Sequence, residues 1–518
     1  MNSILKSLFN KNILAFSLLI NLPILFEPQM IAQFLITGGI SQIWVLWANA
    51  IGFAFGTVFI GPLWKKLPIK TENEIHLFRY EGAWSSFLAK FRSVYLGLIV
   101  IPLIGAQLIL SFAAIVSPVL GVNKSLTILL AGAFMLLILF SNNIKNRIRI
   151  DALIGLSSLS ILLLVGLYWI FGQPDIPINC VDSNTSLFNL DESWVNILFI
   201  FGFHWIVTGI YDFPDMEGQK LLTSANQKDS RQLFRLILLM ILAQYFVYSL
   251  GYRAFMNFTG KELKGELIIS DYINHSIPLI RYSLLLFILI PFIGTISNFQ
   301  LWSGTLISGL SSNQEVKFRK IGMVVFTVCS IVWSLSSESV WGIVQYLFVI
   351  SAGVGPVFIL RWYWHKITAK VQFIAMLSSL IYANLYIILE KNWIQFAQFS
   401  NDLSLRANLN PYFFQVFVVT VAVVFTWLLV ALLNKTDTKQ AFNRFDAYSK
   451  GLEALKSKSN WSAFVFLAIL IVSSRIFSWY LVIGEFLIAT AFSLIMLFCL
   501  ILYAYRLKKN QAQFDVKT

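Results

Sequence analysis

Three cysteines and four histidines in 518 residues leave this chain almost nothing with which to build a metal centre or a disulfide framework. Cys329 and Cys499 fall inside apolar runs and Cys180 stands alone, so neither a bridge pattern nor a ligand spacing arises. His76, His204, His275 and His365 are too scattered for any two to pair at metal-ligand spacing. Charge is scarce as well: 12% of residues are Asp, Glu, Lys or Arg, against 58% hydrophobic. A soluble domain of this length could not cover so much apolar surface with so few charges. There is no glycine-rich phosphate loop, no nucleophile elbow and no cluster of carboxylates at catalytic spacing. These absences argue against an enzyme and against any soluble class.

What the chain does have is a succession of apolar runs. A bilayer is an apolar solvent, and about 20 apolar residues cross it as a helix that satisfies its own backbone. Fourteen spans are expected, near residues 12–37, 42–63, 88–116, 124–141, 150–171, 194–210, 230–252, 279–306, 316–336, 340–362, 369–389, 412–433, 461–479 and 482–505. Lys6 and Lys11 precede an apolar run that is too long for a cleavable signal and has no small-residue cleavage site. With both termini inside, cytoplasmic segments hold 31 of the 39 Lys and Arg residues. Positive residues stay on the cytoplasmic side, which sets this direction of threading in a cell (inner) membrane. The net charge of +14 then belongs to loops facing an anionic leaflet, and no nucleic-acid partner is needed to explain it. Between Lys439 and Lys458, Phe442, Phe445, Leu452 and Leu455 recur at helical spacing among basic residues, which predicts an amphipathic helix on the inner surface.

Polar groups at membrane depth are costly and mark cavities, partners or pathways. The first span carries Ser17, Asn21, Pro23, Glu27, Pro28 and Gln29, and its prolines must break or bend the helix. The sixth carries His204, Trp205, Thr208, Gly209, Tyr211 and Pro214. Interruptions five helices apart point to two inverted halves with a site at the breaks. The predicted solute cavity is therefore lined by Asn21, Glu27, His204, Trp205 and Tyr211. The eighth span concentrates Gly294, Thr295, Ser297, Asn298, Gln300, Ser303 and Thr305. Two readings are open: small hydroxyls that let helices pack closely, or oxygen ligands for a hard cation such as sodium. Asp151 opens the fifth span, either as a helix cap or as the guard of an inner ion exit.

Three stretches resemble the solute:sodium symporter family, in the form found in Bacteroidetes-type bacteria. The segment from Pro62 and Trp64 through Phe78-Arg79-Tyr80-Glu81-Gly82 to Phe91-Arg92 and Tyr95-Leu96-Gly97 is similar to that family's loop between its second and third helices. Gly353-Val354-Gly355-Pro356, followed by Arg361-Trp362-Tyr363-Trp364, resembles its tenth helix and the loop after it. Gln219-Lys220 resembles the segment after its sixth. The resemblance covers most of residues 20–450.

It implies an all-α polytopic fold: a LeuT-like ten-helix inverted-repeat core over 1–366, with about four further helices over 367–518. It also implies sodium-coupled symport of a small polar solute by alternating access. The family's two adjacent hydroxyl ligands for sodium fall here on Gly294 and Thr295, so one hydroxyl is replaced, and Asp151 matches its fifth-helix aspartate. The family's leading helix is not expected ahead of this core. The alternative is a transporter-fold membrane protein that no longer transports and serves as a sensor or assembly partner.

Overall fold

A computed structural model describes residues 43–64, 66–69, 71–137, 144–171, 265–310, 315–434, 438–482 and 485–515, with isolated residues between 13 and 31 and between 195 and 252. The described residues form helices joined by short connections, with no strand among them. In chain order the helices are α1 (Trp44–Phe55), α2 (Gly61–Trp64), α3 (Glu74–Arg79), α4 (Ala83–Tyr95), α5 (Ile101–Leu120), α6 (Lys124–Leu137) and α7 (Ile144–Phe171). Then come α8 (Gly265–His275), α9 (Pro278–Ser308), α10 (Glu315–Ser336), α11 (Val340–Ser351), α12 (Gly355–Leu360) and α13 (Ala369–Asn392). The last are α14 (Ile394–Arg406), α15 (Pro411–Leu433), α16 (Lys439–Ser449), α17 (Gly451–Lys456), α18 (Lys458–Val482) and α19 (Phe486–Asp515). Among the described residues, eight helical stretches are long and apolar enough to cross a membrane. The protein is an all-α, multi-pass membrane protein. A helix stands at each expected span that is described; the first, sixth and seventh spans lie outside the described residues apart from isolated positions.

Two long helices each carry a π-helical turn for the same reason. A π-helical turn at Gly56–Ile60 joins α1 to α2 just before Pro62, and another at Leu96–Val100 joins α4 to α5 just before Pro102. Proline has no amide to donate and its ring crowds the carbonyl one turn back, so a wider turn relieves the clash. Such a turn also exposes a carbonyl. Ser303 of α9 donates its hydroxyl to Gly97 O at 3.1 Å, so a break in one helix is closed by a side chain from another.

The expected span 340–362 is not continuous. Its helix stops at Ser351 and restarts at Gly355, with Gly353 at φ +79° in the left-handed region. Backbone without helical bonds survives at membrane depth only where protein supplies the partners. Ser379 of α13 donates to both Ile350 O and Ala352 O at 2.8 Å, and Trp427 of α15 donates to Gly353 O at 3.2 Å. A Cβ on Gly353 would stand 2.8 Å from Val423 Cβ, so the position needs glycine for space as well as for φ.

Helix α9 is the axis of the described bundle and packs on α5, α7 and α10. Its crossing with α10 is backbone on backbone: a Cβ built on Gly322 would lie 3.0 Å from Gly304 Cα. Two of its polar groups act as glue. Gln300 Nε2 donates to Met135 O at 3.2 Å and to Thr327 Oγ1 at 2.9 Å, and Ser303 also reaches Gly322 O at 3.4 Å. At the far end of the chain α18 and α19 pack as a pair, and α18 lies against α1. There the buried Arg475 sits over Trp44 and Trp47, with its guanidinium carbon 5.3 and 5.1 Å from the ring centroids.

Candidate functional site

The sequence-predicted ion residues sit on two adjacent helices. Gly294 and Thr295 lie near the middle of α9, and Thr295 is 2% exposed. Ser297 turns back along its own helix and donates to Ile293 O and Gly294 O at 2.8 and 3.0 Å, so its hydroxyl is spent locally. Asp151 is fully buried on α7, which packs on α9. Its reading as a helix cap is corrected: α7 begins at Ile144, seven residues earlier, and Asp151 lies inside the helix. The expected solute residues Asn21, Glu27, His204, Trp205 and Tyr211 lie outside the described residues, as does Cys180.

A second polar cluster forms where the two most specific motifs meet. Arg79 of α3 and the Arg361-Trp362-Tyr363-Trp364 segment after α12 are 282 residues apart in sequence at their point of contact. The Arg79 guanidinium donates to Arg361 O at 2.9 Å, to Trp364 O at 3.2 Å and to Ile367 O at 3.4 Å. It is 2% exposed and lies 4.9 and 5.2 Å from the ring centroids of Phe442 and Phe445. Trp64 meets Trp362 edge-on at 5.5 Å, and the Arg361 guanidinium carbon is 5.4 Å from the Trp64 ring centroid. Glu72 and Arg92 pair at 2.6 Å with both side chains buried, and Tyr80 donates to Gln372 Oε1 at 3.0 Å. A planar cation with five donors suits a turn rich in carbonyls that cannot all be satisfied by backbone.

The amphipathic segment closes this hub. The single helix expected over 439–458 is corrected to two, α16 and α17, broken at Lys450 with φ +53°. Its apolar face is corrected from a lipid-facing to a protein-facing surface: Phe442 and Phe445 are buried against Arg79 and Trp362. Lys66 Nζ donates to Ser449 O at 3.1 Å, Thr438 Oγ1 donates to His365 O at 2.7 Å, and Arg444 pairs with Glu81. Aromatic spacing predicted the helix, whereas its partner was set by residues that periodicity does not connect.

His76 lies inside the hub, fully buried, stacked on Tyr80 with ring centroids 6.3 Å apart. Burial, with Arg92 and then Arg361 nearby, holds its pKa well below the usual imidazole value. The folded protein thus keeps it neutral, while the unfolded chain takes up a proton below about pH 6.5. Stability is full above that pH and falls as pH drops through it. The thermal midpoint is expected to decrease from pH 7.5 to pH 5, with a flatter profile in His76→Leu; parallel profiles would remove His76 as the cause.

Comparison with known proteins finds no matching family model and no matching curated sequence. Solved structures do match. A Na+-coupled sialic acid symporter, determined in a substrate-bound outward-open state, overlays with a TM-score of 0.60 at 14% identity, covering 82% of this chain and 89% of that one. This chain shares the fold of that symporter. A nucleobase-cation-symport-1 family transporter, closed with bromovinylhydantoin bound, gives a TM-score of 0.47 at 14% identity over 85% of this chain and 96% of that one. A manganese transporter of Eremococcus coleocola gives 0.29 at 12% identity over 92% and 96%.

Proposed function

We propose that this protein is a secondary active transporter of the solute:sodium symporter type, moving a small polar solute by alternating access with sodium as the coupling ion. The observation that supports this most is Thr295, buried mid-helix in α9 of a LeuT-like fold, at the position where the family resemblance places a sodium-ligating hydroxyl. Residues 1–366 form the transport core in this reading, and residues 367–518 brace it. Asn21, Glu27, His204, Trp205 and Tyr211 line the solute cavity, and Asp151 guards the inner ion exit.

Sodium needs several oxygens, and Gly294 offers no side-chain oxygen. Sodium binding to purified protein is expected to tighten about tenfold in Gly294→Ser, roughly 1.4 kcal/mol. In Thr295→Ala it is expected to weaken by at least a similar factor. If wild type binds sodium tightly and Thr295→Ala is unchanged, the ion sits elsewhere. The missing hydroxyl also favours the second reading, a sensor or assembly partner. Stoichiometric co-purification with a partner, with no uptake from a broad solute panel, would establish that reading instead.

We further place both termini in the cytoplasm. Reporter fusions after Lys124 and after Arg149 should report opposite sides of the membrane. A same-side result would reject this threading.

A further inference from the structure

Three side chains at membrane depth each hold a polar atom with no partner. Gln29, 1% exposed, donates Nε2 to Ser111 O at 3.4 Å, and its Oε1 accepts nothing. Gln107 and Ser111 lie one turn apart on one face of α5, 3% and 0% exposed, and Gln107 Nε2 and Ser111 Oγ are also unpartnered. The Ser111 carbonyl fixes which end of the Gln29 amide is which, because only the nitrogen can donate to it. Each unmet atom costs about 1–3 kcal/mol, so three in one place are not explained by packing.

Gln300 shows what a packing role looks like in the same bundle: its amide nitrogen serves two acceptors on neighbouring helices. Gln107 and Ser111 lie well inside a membrane-spanning helix. Ser111 is nine residues from the end of α5 at Leu120, about 14 Å along the axis. The adjacent Phe112 stacks on Phe292 of α9 at 4.3 Å, and Phe292 is three residues before Thr295.

We propose that Gln29, Gln107 and Ser111 form a subsite for an uncharged solute group bearing both a hydrogen-bond donor and an acceptor, such as a vicinal diol or a primary amide. The proposal rests on the transport reading and names the solute class for it. Gln29 Oε1 accepts from the solute, Gln107 Nε2 donates to it, and Ser111 Oγ does either. None of the three carries a fixed charge, so an ionic group seated against them would lose its hydration without gaining a counter-charge from these side chains.

The test uses full-length protein in lipid vesicles, with Cys180, Cys329 and Cys499 replaced by serine and cysteine introduced as Gln107→Cys or Ser111→Cys. A small methanethiosulfonate reagent is expected to label both positions, and xylitol, acetamide or D-glucose to slow labelling at least threefold. Gluconate and putrescine are expected to have no effect. In the cysteine-containing parent, whichever neutral solute acts should also raise the thermal midpoint, with at least tenfold weaker apparent affinity in Gln29→Leu and Gln107→Leu.

Cysteines that stay unlabelled at both positions overturn the subsite. So does protection by the charged solutes alone, or by none of the five. Uptake of a neutral solute at wild-type affinity by Gln107→Leu overturns it while leaving the transport reading intact. Protection by a neutral solute in a protein that moves none of them supports the subsite and removes the transport reading.

Discussion

Replacing Arg79 by methionine is expected to destabilise the protein by on the order of 2–6 kcal/mol, because Arg361 O and Ile367 O lose the guanidinium as a donor, while Trp364 O keeps the Ile367 amide. Native membrane proteins have little stability to spare, so a loss of this size should reduce monodisperse yield severely. Methionine fills similar volume, which separates the lost hydrogen bonds from a lost side chain. Arg79→Lys should recover little, since one ammonium cannot serve Arg361 O, Trp364 O and Ile367 O in the plane the guanidinium spans. The same variants should loosen α16, whose Phe442 and Phe445 rest on the guanidinium. Protease sensitivity between Thr438 and Lys456 reports this directly. Equal thermal midpoints for wild type and Arg79→Met would show that the hub does not hold these elements together.

Breaking the Glu72–Arg92 pair from one side is expected to cost about 3–5 kcal/mol, because the remaining partner would be a buried charge without its counter-charge. Both side chains are nearly inaccessible, so water cannot make up the loss. The Glu72→Met/Arg92→Met double variant should recover much of what either single variant loses, and the coupling from the cycle should exceed 1 kcal/mol. Additive losses would mean that the two residues act separately. Arg92 also sits beside His76, so Arg92→Met is expected to flatten part of the acid sensitivity assigned to the imidazole.

Much of the architecture was legible from residue order alone. The apolar runs predicted every described span because a bilayer imposes a length and an apolar composition on each helix separately. Phe442 and Phe445 announced the amphipathic helix, since a period near 3.6 is a property of one segment. The proline breaks expected in the first span lie outside the described residues, while Pro62 and Pro102, which the sequence reading did not single out, each follow a π-helical turn. Thr295 and Asp151 were singled out as polar groups in apolar surroundings, and both are buried. Gln107 carried the same signal, an amide in an apolar run, but its meaning depends on Gln29, 78 residues earlier in the chain.

The sequence by itself determined that the chain is an all-α membrane protein and which residues are costly to bury. Each follows from the free energy of moving a short segment between water and lipid, which neighbouring segments scarcely change. Only the tertiary structure decided what those residues meet. It broke the tenth expected span at Gly353 and closed the gap with Ser379 and Trp427. It turned the amphipathic face toward Arg79, and it left Gln29, Gln107 and Ser111 with polar atoms unmet. A hydrogen bond extends about 3 Å, so its formation depends on how distant segments pack, which hydropathy along one segment does not encode.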